Sequence, residues 1–141
     1  VYWVVTKKNP FKSKTFYSLE ERMKYAKKIS STQKKIQTVY LDNIIKSSRV
    51  IDVINYFINK KNIKNIYFIV GSDNLIRFHK WKSWKKIVKL VKLIVFSRRG
   101  YDRKGMKSMV VKNFKNKIIF IKNKHIEISS TQLKSQKKSN N

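Results

Sequence analysis

The residues of this chain that could do chemistry lie in four polar runs, each just after an apolar segment: Thr6 to Lys12, Gly71 to Asn74, Ser97 to Tyr101 and Ser129 to Thr131. Three of the four are built from Gly, Ser, Thr, Arg or Lys, a set that suits a phosphate-bearing ligand. Arg98 and Arg99 carry planar guanidinium groups that donate in a fork and match phosphate oxygens, although a solvated arginine pair is equally compatible with this position. Ser129, Ser130 and Thr131 read as a helix N-cap, and the free amides and hydroxyls of such a turn also form an anion site. Taken alone, Gly71 and Asp73 are a tight turn and a helix cap. Trp81 and Trp84, three residues apart, are by spacing core residues on one helix face. The absence of cysteine excludes disulfides, thiolate metal sites and a cysteine nucleophile.

The 141 residues carry 35 Lys plus Arg against 7 Asp plus Glu, a formal charge of +28. Such a potential attracts nucleic acid, anionic lipid or phosphorylated small molecules without discriminating among them. The lysines are spread along the whole chain and come with many Ile and Asn and a single alanine, Ala26, a pattern of compositional bias. Most aromatic residues sit inside apolar runs and do not alternate with Lys or Arg as a base-stacking platform requires. With 41% hydrophobic residues the chain can form a core. No apolar run approaches the ~20 residues of a membrane span, and no secretory signal pattern is present.

The elements that must position these residues alternate between strand and helix. Val1 to Val5 is a continuous apolar run expected of a parallel strand covered on both faces. Ser18 with Glu21 is a capping box that predicts a helix over Leu19 to Ile29. Ile36 to Leu41 reads as a short strand, Val50 to Ile58 as a helix, and Ile66 to Val70 as a buried strand ending at Gly71. Asn74 to Val91 has helical spacing with a break near Lys82 and Ser83. Leu93 to Phe96 and Ile118 to Ile121 are further core strands, and Ser129 to Thr131 opens a short final helix. This alternation predicts parallel pairing through right-handed crossovers, with the ligand crevice beyond the carboxyl ends of the strands.

The segment Ile66 to Ile87, IYFIVGSDNLIRFHKWKSWKKI, resembles the central motif of bacterial nicotinate-nucleotide adenylyltransferases: an apolar strand, G-x-D-x-L, then F-x-x-W-x-x-W-x-x-I. The opening VYWVVTKKNPFK is similar to the family's second strand and its N-x-P-x-K loop. LIVFSRRGYD, Leu93 to Asp102, is similar to the strand and R-x-G-Y loop, and ISSTQLK, Ile128 to Lys134, to I-S-S-T-x-x-R. The family's first strand and its G-x-F-x-P-x-H-x-G-H turn have no counterpart here. His79 and His125 lie elsewhere, and a chain beginning with Val1 at the second strand reads as N-terminally truncated.

The resemblance implies a Rossmann-like α/β fold, a parallel sheet with helices on both faces, in one domain over residues 1–134 with a frayed basic tail over 135–141. It implies transfer of AMP from ATP to nicotinate mononucleotide in NAD synthesis, with Mg2+ on the ATP phosphates, in the cytoplasm. Gly71, Asp73, Arg98, Ser129, Ser130, Thr131 and Lys134 would bind ATP, Asp73 through ribose hydroxyls and Arg98 through phosphates. Lys134 stands where the family has arginine, which keeps the charge and loses the fork. Trp81 would stack on the pyridine ring, with Trp84 as packing, and Lys12 would meet the mononucleotide phosphate. Arg99 stands where many members have proline, and Ser47 to Val50 departs from the family's T-x-x-T stretch. No metal ligands and no catalytic residue are assigned, since the H-x-G-H element that would neutralise phosphate charge is outside the sequence. Two alternatives stay open: a catalytically inactive nucleotide-binding remnant, and a basic nucleic-acid-binding domain. The expected partners are the two nucleotides, with no specific nucleic acid and no membrane; a homo-oligomer is left open.

Overall fold

A computed structural model describes residues 1–7 and 15–123. The chain is α/β, its strands all pair in parallel, and it divides into two compact units, Val1–Tyr56 and a second beginning at Phe57.

In the first unit, β1 (Tyr2–Val5) pairs in parallel with β2 (Gln37–Tyr40), in register from Tyr2 opposite Gln37 to Val5 opposite Tyr40. The crossover between them is α1 (Leu19–Ser30). The capping box expected there forms: the Glu21 amide donates to Ser18 Oγ at 3.1 Å and the Ser18 amide to Glu21 Oε2 at 2.8 Å. Both satisfy amides that have no partner inside the helix. The neighbouring Glu20 carboxyl is held below its ordinary range by a hydrogen bond from its own backbone and one from Ser18. Ala26 and Ser30 are the buried residues of α1, and the Ser30 hydroxyl bonds Thr38 Oγ1 on β2 at 2.9 Å. A short helix, α2 (Asp42–Ile45), follows β2 and is stopped by Lys46 in the left-handed region. No apolar period announces so short an element.

Helix α3 (Val50–Lys61) buries Ile51, Ile54 and Phe57, the i, i+3, i+6 spacing of one helix face. The second unit contains β3 (Tyr67–Gly71), β4 (Lys92–Phe96) and β5 (Ile118–Ile121), paired in the order β3-β4-β5. Phe68, Leu93 and Ile118 lie abreast, as do Val70, Val95 and Phe120. Between β3 and β4 come α4 (Ser72–Arg77), a 3-10 turn (Phe78–Lys80) and α5 (Trp84–Leu90). The break anticipated near Lys82 and Ser83 is present, with Ser83 left-handed at φ 58°. Between β4 and β5 lie α6 (Asp102–Met106) and α7 (Met109–Phe114), neither of which the sequence pattern disclosed. Leu75, Phe78, Ile87, Val88, Leu93, Val95 and Val110 are completely buried and form the core of this unit.

The expectation that the first strand is covered on both faces is corrected. In β1 only Val5 is buried, while Tyr2 and Trp3 are exposed. In the three-stranded sheet Val70, Leu93 and Val95 are buried on one face, whereas Tyr67 and Ile69 are 52% and 48% exposed on the other. Phe96, Ile119 and Ile121 share that open face. Continuous apolar runs are what doubly covered parallel strands need, but the run cannot say which residues lie opposite it. Among the described residues no helix is long and apolar enough to cross a membrane.

Candidate functional site

The carboxyl ends of β3 and β4 are adjacent, Gly71 lying opposite Phe96. The polar residues that follow each strand therefore meet. Beyond β3 the chain turns directly into α4, with Gly71 as N-cap in extended conformation and Ser72 fully buried. Asp73, in the first turn, directs its carboxylate towards the loop after β4. There Arg98 Nη1 donates to Asp73 Oδ2 at 2.6 Å, joining the carboxylate and the guanidinium that the sequence singled out 25 residues apart. The Arg98 side chain is 53% exposed and that of Asp73 26%, so the pair lies at an accessible edge. Its contribution to stability is that of a surface ion pair, about 0–1 kcal/mol.

The absence of a side chain at Gly71 leaves room for the Asp73 carboxylate in this position. A Cβ on Gly71 would lie 2.5 Å from Asp73 Oδ1, well inside van der Waals contact, and 3.9 Å from Arg98 Cδ. The loop after β4 is equally defined. The Tyr101 amide donates to the Arg98 carbonyl at 3.0 Å, closing a turn in which Gly100 takes φ 79°. Positive φ at that third position marks a type II turn and favours glycine. Asp102 then takes the Arg98 amide on Oδ1 at 2.8 Å and the Ser97 hydroxyl on Oδ2. Arg99 is exposed on the same turn.

Trp81 is not on a helix face with Trp84, as the spacing implied. It adopts extended backbone, φ −74° and ψ 141°, between the 3-10 turn and α5, while Trp84 is the first residue of α5. The left-handed Ser83 between them breaks the helical register. The Trp81 ring stacks on Phe78 with centroids 4.8 Å apart and meets Phe68 edge-on at 6.0 Å. Trp84 packs edge-on against Phe114 of α7 at 5.8 Å, with the Lys85 ammonium over its ring. His79, in the 3-10 turn between α4 and Trp81, has its Nδ1 buried with no hydrogen-bond partner. Lys12, Ser129, Ser130, Thr131 and Lys134 lie outside the described residues, as do His125 and the expected final helix.

In the first unit, the chain leaving β1 is gripped by two side chains that sequence reasoning passed over. Arg22 of α1 donates to the carbonyls of Thr6 at 2.5 Å and Lys7 at 2.8 Å. Buried Asp42 accepts the Lys7 amide on Oδ2 at 2.7 Å, and its Oδ1 has no partner. Ser47, in the stretch that departs from the T-x-x-T pattern, donates its hydroxyl to Asp52 at 2.6 Å. The one sequence signal for these roles is an acidic residue in the first turn after a strand end, at Asp42 and again at Asp102.

In open parallel α/β sheets the ligand crevice lies beyond the carboxyl ends of the strands, where these polar loops meet. The chain belongs to the cytidylyltransferase-like family, whose model matches residues 1–136. It is 44% identical over 135 residues to a probable nicotinate-nucleotide adenylyltransferase of Pelagibacter ubique (strain HTCC1062), covering 95% of this chain and 74% of that protein. A protein of the same description from Aliarcobacter butzleri (strain RM4018) is 31% identical over 134 residues, 94% of this chain and 68% of the relative. Another, from Clostridium beijerinckii (strain ATCC 51743 / NCIMB 8052), is 36% identical over 92 residues, and this chain spans less than half of it, 45%.

Proposed function

We propose that the loops after β3 and β4 form the ATP site of a nicotinate-nucleotide adenylyltransferase, which moves AMP from ATP to nicotinate mononucleotide and releases pyrophosphate. The observation that carries the reading is the Asp73–Arg98 pair at 2.6 Å, built at adjacent strand ends in a chain of this family. The names of the relatives support the choice of substrates. Asp73 offers acceptors to ribose hydroxyls, and Arg98 offers forked donors to the phosphates. When ATP binds, a phosphate oxygen replaces the Asp73 carboxylate at Arg98, which frees the carboxylate for the sugar.

In the reaction, an oxygen of the mononucleotide phosphate attacks the α-phosphorus in line and the bond to pyrophosphate breaks. Catalysis of this kind rests on positioning and on stabilising negative charge. Arg98 supplies part of that charge, and Ser129, Ser130, Thr131 and Lys134 are proposed to add to it by their residue types. Trp81, its ring braced by Phe78 and Phe68, provides the plate on which the pyridine ring stacks. Mg2+ would be held chiefly by the ATP phosphates and its own waters, as is usual for this ion at phosphate sites.

The test is pyrophosphate release from MgATP and nicotinate mononucleotide by the full chain, with Asp73→Ala and Trp81→Ala as controls. Release that depends on both nucleotides and drops in both variants supports adenylyl transfer. Binding of both nucleotides without release assigns the chain to the nucleotide-binding alternative. Absence of both binding and release refutes the site.

A further inference from the structure

Nothing in the family comparison assigns a role to α6, yet this helix fixes both halves of the candidate ATP site. Its first residue, Asp102, holds the loop after β4: Oδ1 takes the Arg98 amide at 2.8 Å and Oδ2 takes the Ser97 hydroxyl. The Arg98 carbonyl is held independently by the Tyr101 amide at 3.0 Å. Arg98 therefore has its amide, carbonyl and guanidinium all engaged, the last with Asp73. Three residues beyond Asp102, buried Gly105 brings α6 against the start of α4. A Cβ on Gly105 would come within 2.7 Å of the Ser72 carbonyl oxygen, the residue before Asp73. The same short helix thus sets the backbone from which Arg98 projects and abuts the backbone from which Asp73 projects.

We infer that Asp102 is a positioning residue for Arg98: its carboxylate fixes the loop after β4 so that the guanidinium stands where ATP phosphate must bind. This rests on the proposed function and extends it to a residue that does not itself touch substrate. A carboxylate is otherwise an unfavourable neighbour for a polyanion, since removing a negative charge near the phosphates should by Coulomb's law tighten ATP binding. A positioning role predicts the opposite sign. In Asp102→Asn the amide oxygen can still accept the Arg98 N–H, but the charge-assisted bond with Ser97 is lost and the two acceptors are no longer equivalent.

The experiment is calorimetric titration of the full chain with MgATP and, separately, with nicotinate mononucleotide at physiological salt, for wild type, Asp102→Asn and Ser97→Ala. Backbone amide exchange at Arg98 is measured in parallel. We expect Asp102→Asn to weaken ATP about tenfold, the scale of one hydrogen bond to a charged group. Mononucleotide affinity should be unchanged and the Arg98 amide should exchange faster. Ser97→Ala, which removes one donor and no charge, should weaken ATP in the same direction by a smaller factor, and it decides the question if Asp102→Asn does not fold. Unchanged or tighter ATP binding in folded variants overturns the inference and leaves the proposed function standing. Equal weakening of both ligands also overturns it, because that marks a general structural role. A wild-type chain that binds no ATP overturns the proposed function and the inference with it.

Discussion

Gly71→Ala separates the site from the fold. The added methyl carbon would lie 2.5 Å from Asp73 Oδ1, whereas ordinary contact begins near 3.4 Å, so the carboxylate must retreat by about 0.9 Å. Because the same carboxylate takes Arg98 Nη1 on Oδ2 at 2.6 Å, turning it aside lengthens or distorts that contact. The backbone itself is not strained, because Gly71 sits at φ −84° and ψ 157°, where alanine is at ease. Three small terms then compete in stability. Loss of an accessible ion pair costs about 0–1 kcal/mol. Replacing glycine with alanine at the N-cap of α4 costs a few tenths of a kcal/mol to ~1 kcal/mol. Reduced freedom of the unfolded chain returns roughly 0.4–1 kcal/mol. The net change is within about 1 kcal/mol, a shift of no more than ~4–5 °C in Tm for a chain of this size. ATP affinity, by contrast, should fall about tenfold, because a displaced carboxylate loses a hydrogen bond to the ribose. The assay pairs thermal unfolding by circular dichroism with MgATP calorimetry. Unchanged or increased affinity in a folded variant refutes the placement of Asp73 in the site. A large loss of Tm would show that Gly71 serves the fold instead.

Gly105→Ala should do the reverse: its Cβ meets the backbone carbonyl of Ser72 at 2.7 Å, which cannot rotate away, so denaturant titration should show a loss of roughly 1–3 kcal/mol. Ser18→Ala removes the hydroxyl that accepts the Glu21 amide at 3.1 Å and should cost about 1 kcal/mol, read from the same titration. The three tryptophans, Trp3, Trp81 and Trp84, make fluorescence informative: nicotinate mononucleotide should quench wild type and Trp84→Phe but not Trp81→Phe. Quenching that survives in Trp81→Phe would remove Trp81 from the pyridine site.

The sequence made the strands legible because parallel strands are apolar without interruption, and it made α1 legible because Ser18 and Glu21 form a local cap. Gly71 to Asp73 and Ser97 to Gly100 could be placed at strand ends, since apolar runs stop there abruptly. Their meeting depends on β3 and β4 being neighbours, a long-range fact that periodicity does not carry. Trp81 was misplaced because spacing of three residues is helical only if the backbone is, and Ser83 takes a left-handed conformation that its residue type does not announce. Helices α6 and α7 are five and six residues long, too short for an apolar period to register. Asp102 escaped for the same reason: its role is visible only once the loop it holds has been built. The open face bearing Tyr67 and Ile69 was also beyond reach, because exposure depends on what lies opposite and not on the strand itself.

The measurement that bears most directly on the central claim is chemical-shift mapping of the isotope-labelled chain titrated with MgATP at physiological salt. With a net charge of +28, affinity alone could reflect any polyanion meeting a basic surface, so the location of the response is what matters. The account predicts saturable shifts concentrated at the amides of Gly71 to Asp73 and Ser97 to Gly100, with Asp73→Ala and Arg98→Ala weakening them. Shifts that spread over the lysine-rich surface, fade with added salt and ignore both substitutions would contradict it.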